Sequence, residues 1–135
     1  MGLFEQFGGV AMALLGAGTI GGSVIKVLRE NKDIISQRAG TEIQIKNILV
    51  LPREIQKLQE QGLPATNNYD EILDDPEIDI VVEVMGGLSP AKEFALRAMA
   101  KGKSVVSANK DVVAQFGHEL FEAAEKNHVD YLFEA

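Results

Sequence analysis

The chain has 135 residues, 46% of them hydrophobic and 24% charged, which is the size and composition of a single globular domain. Its 13 basic and 20 acidic residues give a net charge of −7, which argues against a nucleic-acid-binding surface. It contains no cysteine, which excludes a disulfide framework, a thiolate zinc site and a thiol nucleophile and fits a cytoplasmic protein.

The beginning of the chain contains an uncharged stretch, Gln6 to Ile25, that is as long as a membrane span. Glycine is frequent within it, and the residues before it include Glu5 but no lysine or arginine, which is the wrong flank for a secretory signal. We therefore expect no membrane segment, no signal segment and no membrane partner. Residues 1–8 are interpreted as a loose leader to the domain.

The next feature is a glycine-rich turn between a strand and a helix. Val10 to Leu15 is a continuous apolar run, as expected of a strand covered on both faces. The turn after it reads Gly16-Ala17-Gly18-Thr19-Ile20-Gly21. The first glycine supplies the backbone freedom of a sharp turn, the second permits a pyrophosphate to approach, and the third lets the helix pack closely on its strand. The N–H groups and positive dipole end of that helix would then bind phosphate.

The rest of the chain alternates between strand and helix patterns. The first half continues with a strand over Ile43–Leu51, a helix that Pro52 begins and Gly62 ends, room for one short strand within Leu63–Asn68, and a helical turn Tyr69–Leu73 capped by Asn68. The second half contains a strand Ile78–Met85, a helix from Ser89-Pro90 to Gly102, a strand Ser104–Ser107, a helix after Asn109 and a strand Val129–Phe133. The residues expected to face inward from the last two helices are Ala91, Ala95, Ala98 and Met99, and then Val113, Phe116, Leu120 and Ala124.

This alternation predicts an α/β fold, because neighbouring parallel strands need crossover connections and helices supply them. Such crossovers are right-handed, so we expect a doubly wound parallel sheet of about six strands, a Rossmann-like three-layer sandwich. The sequence shows no internal repeat, low-complexity tract or interdomain linker. We assign residues 1–135 to one dinucleotide-binding domain.

Ligands of doubly wound sheets bind beyond the carboxyl ends of the strands, where the strand order reverses. Besides the glycine turn, two loops are predicted to lie there, Met85-Gly86-Gly87 and Ser107-Ala108-Asn109-Lys110. The glycine pair either reverses the chain or lets a ribose or nicotinamide lie against the backbone. Asn109 either caps the following helix or contacts the cofactor with its amide.

Lys110 has two interpretations. A single lysine at the start of a helix is most often a solvated surface residue. The positive end of the helix dipole also disfavours the charged ammonium form, and a lysine in this place can bind the oxygen of an alcohol or carbonyl and exchange its proton.

Three motifs in register resemble the homoserine dehydrogenase family. They are Val10 to Gly21, Ile78 to Gly87 and Ser107-Ala108-Asn109-Lys110, the last with serine where the family has threonine; Asp130 to Ala135 is also similar. The resemblance covers nearly the whole chain beyond the leader. It implies that the glycine turn binds the nicotinamide dinucleotide and that Lys110 is a catalytic residue in contact with a substrate oxygen. The implied reaction is hydride transfer between homoserine and aspartate 4-semialdehyde, in the pathway to threonine, methionine and isoleucine.

Two features depart from the family pattern. The family continues into a substrate-binding and dimerisation region with further catalytic residues, which is absent here, so we expect a cofactor domain with little or no turnover alone, from an enzyme that is typically a homodimer. The second strand ends in Leu51-Pro52-Arg53, where an NAD-selective site would offer an acidic residue to the ribose hydroxyls. Arg53 is either a solvent-exposed helix residue or a partner for a 2′-phosphate, and the latter favours NADP over NAD as the cofactor.

The remaining polar residues are interpreted without a ligand. His118 and His128 are predicted to lie on the surface. The acidic residues Asp74, Asp75, Glu77 and Asp79 lack the glycine turn and terminal glutamate of a calcium loop, so we expect a solvated acidic turn and no metal site. Two other functions stay open: a stand-alone dinucleotide-sensing regulatory domain, and a domain retained for protein interaction that binds no cofactor.

Overall fold

The computed structural model describes residues 9–16 and 42–133, together with residues 22, 25, 26, 29 and 30, which are helical. Five strands in this part of the chain form one sheet: β1 (Gly9–Leu15), β2 (Glu42–Leu49), β3 (Ile78–Glu83), β4 (Ser104–Ser107) and β5 (Tyr131–Phe133). The helices with described bounds are α1 (Pro52–Glu60), α2 (Tyr69–Leu73), α3 (Ala91–Ala100) and α4 (Lys110–Lys126).

All strand pairs are parallel, and the order across the sheet is β2-β1-β3-β4-β5. The chain moves from β1 to β2 on one side and then returns to the other side of β1 at β3, so the strand order reverses between β1 and β3. This is the predicted doubly wound, Rossmann-like α/β sheet. The carboxyl ends of β1 and β3 lie side by side at the reversal, which is where such sheets bind ligands.

The predicted sixth strand within Leu63–Asn68 is reduced to a single bridge. Thr66 alone pairs with Leu49, and its N–H and carbonyl oxygen form backbone hydrogen bonds of 2.8 and 2.9 Å to β2 and to the residue after it. The Thr66 hydroxyl then accepts the N–H of Asn68 at 3.0 Å, which turns the chain towards α2. The expectation of six strands is therefore wrong for the described residues, because a local side-chain hydrogen bond ends the pairing after one residue.

The strands β2 and β3 each end two residues earlier than predicted, at Leu49 and Glu83. The carbonyl oxygen of Leu49 accepts the N–H of Gly16 at 2.8 Å, so the end of β2 is bonded to the turn after β1. The N–H of Met85 donates to the Glu83 carboxylate at 2.7 Å and is withdrawn from the sheet. Each strand therefore ends where a backbone group bonds outside the regular ladder. At the end of β2 the partner is Gly16, and after β3 it is the Glu83 carboxylate.

Two hydrophobic clusters are built on the residues of the sheet and cover it. One contains Leu15, Val81 and Val105 with residues of α2, α3 and α4. The other contains Leu14 and Ile48 with residues of α1 and with the helical residue Ile25. In the sequence, Ile20, Val24, Val27 and Leu28 fall on one helical stripe after the glycine turn, which predicts the inward face of the first helix; these residues lie outside the described ones.

The buried faces of α3 and α4 agree with prediction to different extents. The residues buried by α3 are the four predicted ones, Ala91, Ala95, Ala98 and Met99. The helix α4 buries Leu120 and Ala124 as predicted, but its other fully buried residues are Val112 and Gly117. Val113 and Phe116, which were expected there, are half-buried beside the same cluster. The face is rotated because the capping residue Asn109 starts the helix with Val112 already pointing into the core.

The acidic turn before β3 is not simply solvated. Lys46 of β2 forms ion pairs with Asp75 at 2.8 Å and with Glu77, and these carboxylates are about four-fifths buried. Lys103 is 3% exposed and donates to the carbonyl oxygens of Asp75 and Ile78. The prediction of a solvated turn is therefore wrong at Asp75 and Glu77, because Lys46 of β2 pairs with both carboxylates. Within the described ranges, no group of acidic and histidine residues is arranged to hold a metal ion.

The described helices include none that is both long and apolar enough to cross a membrane.

Candidate functional site

The turn after β1 has the geometry that a close approach between two strand ends requires. Gly16 has a φ of +91°, a conformation that residues with a side chain rarely adopt. A Cβ atom at Gly16 would lie 3.2 Å from the Cγ of Met85 and 3.4 Å from its Cα. The first glycine of the predicted turn therefore brings the ends of β1 and β3 together. The other predicted phosphate-binding residues, Ala17, Gly18, Thr19, Ile20 and Gly21, lie outside the described residues.

A cleft of about 630 Å³ opens at this edge of the sheet. Its walls are the residues that end β1, β2 and β3, the first turn of α1, and parts of α2 and α3. The lining residues include Gly16, Leu51, Pro52, Tyr69, Met85, Phe94 and Arg97. Its volume lies within the range of small-molecule and cofactor pockets.

Aromatic and cationic side chains form one wall of the cleft. The rings of Tyr69 and Phe94 stack with centroids 4.3 Å apart, and the Tyr69 hydroxyl donates to the carbonyl oxygen of Phe94 at 2.8 Å. Burial raises the pKa of Tyr69, so the phenol stays neutral and remains a donor. The guanidinium of Arg97 lies 5.4 Å from the Tyr69 ring and pairs with Asp70 at 2.7 Å. Such a wall can pack against a planar base.

No pattern in the sequence predicts this wall. Phe94 and Arg97 are three residues apart on one helix, which is a recognisable pair, but Tyr69 lies 25 residues before Phe94. The crossover from α2 through β3 to α3 is what brings them together, so no local pattern could have found them.

The loops after β3 and β4 form the second half of the site. Gly86 and Gly87 have φ values of +77° and +71°, and no atom of the described residues lies within 4 Å of the place a Cβ would take at either. The side-chain nitrogen of Asn109 donates to the carbonyl oxygen of Gly87 at 2.6 Å. The side-chain oxygen of Asn109 accepts the N–H of Val112 at 3.1 Å and caps α4. The predicted cap is confirmed, and the same side chain joins the two predicted loops.

A buried carboxylate lies beneath these loops. Glu83 is 1% exposed, and its carboxylate accepts the N–H of Met85 and the hydroxyl of Ser107, the latter at 3.0 Å. The Ser107 hydroxyl in turn accepts the N–H of Asn109 at 3.0 Å. Ser107 lies in a loop that was predicted to contact the cofactor, but both hydrogen bonds of its hydroxyl are made within the protein. The sequence signal for this group is a single acidic residue within the otherwise apolar run Ile80 to Met85.

The predicted charged residues of the site are exposed. Lys110 is the first residue of α4 and follows Asn109, and Ala108 is half-buried before it. Arg53 lies in the first turn of α1, next to Leu51 and Pro52 of the cleft, but its own side chain is outside the cleft lining. His118 and His128 are exposed, which confirms that both are surface residues.

Residues 16–134 match the family model described as the NAD-binding domain of homoserine dehydrogenase. The chain belongs to this family. The match includes the glycine turn, both further loops and all strands after β1. The fold and the three motifs in register therefore agree with the NAD-binding domain of this family. The alternative of a stand-alone sensor domain is not favoured.

Known homoserine dehydrogenases resemble the chain in sequence and in structure. That of Bacillus subtilis is 38% identical over 130 residues, which are 93% of this chain and 29% of that protein. The crystal structure from Thiobacillus denitrificans superposes with a TM-score of 0.85 at 47% identity, over 93% of this chain and 29% of that one. The structure from S. aureus gives 0.83 at 38% identity, over 93% and 32%.

The chain spans about three-tenths of the length of these relatives. It covers their dinucleotide-binding part, and its parallel sheet with flanking helices matches theirs.

Proposed function

We propose that this chain holds a nicotinamide dinucleotide across the carboxyl edge of its sheet, as the cofactor domain of an enzyme that interconverts homoserine and aspartate 4-semialdehyde. The observation that carries the proposal is the position of Gly16. It lies where the strand order reverses, with a φ of +91° and no side chain between the backbone and the cleft. Bound there, the dinucleotide supplies the acceptor or donor of the hydride.

Different parts of the site suit different parts of the cofactor. The cleft with Tyr69 and Phe94 suits the adenosine half, since a stacked aromatic pair offers an apolar surface to a base. The glycine turn from Gly16 to Gly21 suits the pyrophosphate. The open backbone at Gly86 and Gly87 suits the nicotinamide half, with Asn109 beside it.

We assign the substrate side of the reaction to Lys110. Its exposed position at the start of α4, directly after the loop that Asn109 ties to Gly87, leaves the ammonium group free to reach a substrate oxygen. There it would bind the alcohol or carbonyl oxygen and exchange a proton with it. Because the chain covers 29% of a relative's length, we expect little or no turnover from it alone.

The proposal extends to the setting of the intact protein. We place it in the cytoplasm as a homodimer that acts on small molecules and not on nucleic acid. The absence of cysteine supports the cytoplasm, and the net charge of −7 argues against nucleic acid. The homodimer rests on the resemblance to the family alone.

Thermal unfolding in the presence of NADPH tests the proposal. A ligand that binds the folded chain at about a hundred times its dissociation constant adds roughly 2.7 kcal/mol to the free energy of unfolding. We expect the midpoint to rise with NADPH concentration and to respond less to nicotinamide mononucleotide, which lacks the adenosine half. A midpoint unchanged by NADPH and by NADH would show that the chain is not a dinucleotide-binding domain and would favour a domain retained for protein interaction.

A further inference from the structure

Glu83 is a carboxylate placed inside the protein beneath the nicotinamide half of the proposed site. Its side chain is 1% exposed at the end of β3. Burying such a group is costly unless hydrogen bonds compensate, and an apolar residue would suit the strand better. Both carboxylate oxygens are used: one accepts the N–H of Met85 at 2.7 Å, and the other accepts the hydroxyl of Ser107 at 3.0 Å.

The two hydrogen bonds join loops that are 24 residues apart in the chain. The bond to Met85 shapes the backbone that leads into Gly86 and Gly87. The bond to Ser107 orients a hydroxyl that itself accepts the N–H of Asn109 at 3.0 Å. Asn109 closes the ring by donating to the carbonyl oxygen of Gly87 at 2.6 Å.

A backbone contact and a buried phenol complete the surroundings of Glu83. The N–H of Ala108 donates to the Glu83 carbonyl oxygen at 3.2 Å, so the backbone and the side chain of Glu83 hold the same turn. Tyr131 of β5 is 4% exposed, and its hydroxyl has no partner among the described residues. Burial raises the pKa of Tyr131 and the negative charge of Glu83 adds to the rise, while the nearby Ser107 hydroxyl, although outside hydrogen-bond geometry, opposes it.

We propose that Glu83 is a positioning residue: its carboxylate sets the distance between the Met85–Gly87 loop and the Ser107–Asn109 turn, and thereby holds the nicotinamide half of the cofactor relative to Lys110. This inference rests on the proposed function. The carboxylate contacts neither cofactor nor substrate, since it is buried and acts through backbone groups and through Ser107.

The hydrogen-bond chemistry of the site defines the variants. In Glu83→Gln the amide oxygen can accept from Met85 and the amide nitrogen can donate to Ser107, whose hydroxyl has a second lone pair for it. Glu83→Leu fills most of the same space with an apolar side chain but leaves the Met85 N–H and the Ser107 hydroxyl without their acceptor. Gln is therefore the rescuing substitution and Leu the disrupting one.

A matched pair of hydroxyl deletions separates positioning from stability. Ser107→Ala removes the hydroxyl that links Glu83 to Asn109. Thr66 has the same local arrangement on the adenosine side: its buried hydroxyl accepts an N–H two residues on, from Asn68, which caps the next helix. Thr66→Val deletes that hydroxyl and serves as the control.

The experiment measures the dissociation constants of NADPH and of adenosine 2′,5′-bisphosphate, which lacks the nicotinamide half, by titration calorimetry on the full chain. We expect Glu83→Leu to weaken NADPH by about tenfold, as for the loss of a buried hydrogen bond, and adenosine bisphosphate by less than about twofold. Glu83→Gln should stay within about threefold of wild type for both. Thr66→Val should change both ligands by the same factor.

Equal weakening of both ligands by Glu83→Leu, or weakening of neither, would overturn the positioning role. If Glu83→Leu does not fold, Ser107→Ala decides with the same pair of ligands, and a selective loss of NADPH affinity supports the role. A wild-type chain that binds neither ligand contradicts the proposed function itself, and the positioning role falls with it. A wild-type chain that binds both while the variants show no selectivity contradicts the positioning role alone.

Discussion

Asn109 donates a 2.6 Å hydrogen bond to the carbonyl oxygen of Gly87, across 22 residues of chain, while its side-chain oxygen caps α4. One side chain thus both starts a helix and fixes the loop beside it. The start of α4 and the conformation of the Gly86-Gly87 loop therefore both depend on the Asn109 side-chain amide.

Replacing Asn109 separates these two bonds. Asn109→Ala loses both, and we expect it to lower the free energy of unfolding by about 2 kcal/mol, about half from the cap and half from the bond to Gly87. Asn109→Asp keeps the capping oxygen and should cost about 1 kcal/mol. Urea unfolding measures both. No cost for Asn109→Asp would show that the bond to Gly87 contributes nothing to stability, and equal costs for the two variants would show the same of the cap.

Substitution of Gly16 tests the close approach of β1 and β3. Gly16→Ala combines a left-handed backbone, which costs an L-residue about 1–2 kcal/mol, with a Cβ that meets Met85, which adds about 1–3 kcal/mol. Gly62→Ala is the matched control, because Gly62 has a φ of +76° but no atom of the described residues within 4 Å of its Cβ position. We expect chemical denaturation to show a larger loss for Gly16→Ala, partly restored by adding Met85→Ala. Equal losses at the two glycines would contradict the contact.

The ion pairs of Lys46 predict a pH dependence of stability. Although burial alone would raise the pKa of Asp75, the hydrogen bond and charge of Lys46 lower it below 3.8, so its contribution is present above pH 3.8 and is lost as the pH falls through the folded-state value. Burial opposes a raised pKa at Lys46, but Asp75 and Glu77 raise it above 10.5. That contribution is present below pH 10.5 and is lost as the pH rises through the folded-state value.

Lys46→Met should therefore flatten the fall in stability at both extremes of pH, measured as the free energy of unfolding in urea. Lys57→Met on the exposed face of α1 is the control and should keep the wild-type profile. Identical profiles for wild type and Lys46→Met would contradict the assignment.

Arg53 is expected to select the 2′-phosphate of NADP. Leu51 offers no carboxylate to ribose hydroxyls, and Arg53 lies in the adjacent first turn of α1. We expect Arg53→Ala to weaken NADPH by about tenfold, as for a charge-assisted hydrogen bond, and to leave NADH unchanged. Lys57→Ala removes the same charge from the next turn of the helix as a control. A clear wild-type preference for NADH would contradict the assignment.

Lys110 is expected to act on substrate and not on the cofactor. Lys110→Ala should leave the dissociation constant of NADPH within about twofold of wild type, because removing an exposed side chain leaves the fold intact. In a protein that carries the rest of the length of its relatives, the same change should lower kcat by about 100-fold or more, as for loss of a proton-transferring group. Wild-type turnover by that variant would remove Lys110 from the reaction.

Features that depend on neighbours in the chain could be predicted from the sequence. Residues a few positions apart are enough to predict the start of α1 at Pro52, the caps at Asn68 and Asn109, and the strand Ser104–Ser107. The alternation of strands and helices then predicts the doubly wound sheet, since right-handed crossovers leave few other arrangements. The position of Gly16 and of the two further loops at the carboxyl edge of the sheet could be predicted for the same reason.

Contacts between distant parts of the chain were decided by the tertiary structure alone. Glu83 meets Ser107, Tyr69 meets Phe94 and Lys46 meets Asp75 at separations of 24, 25 and 29 residues. Whether such groups touch depends on strand register and on where each crossover returns, and a shift of one residue turns a side chain to the other face of the sheet. The sequence by itself therefore determined most of the elements and the edge of the sheet where the candidate site lies, and the packing of the sheet decided which polar groups join its loops.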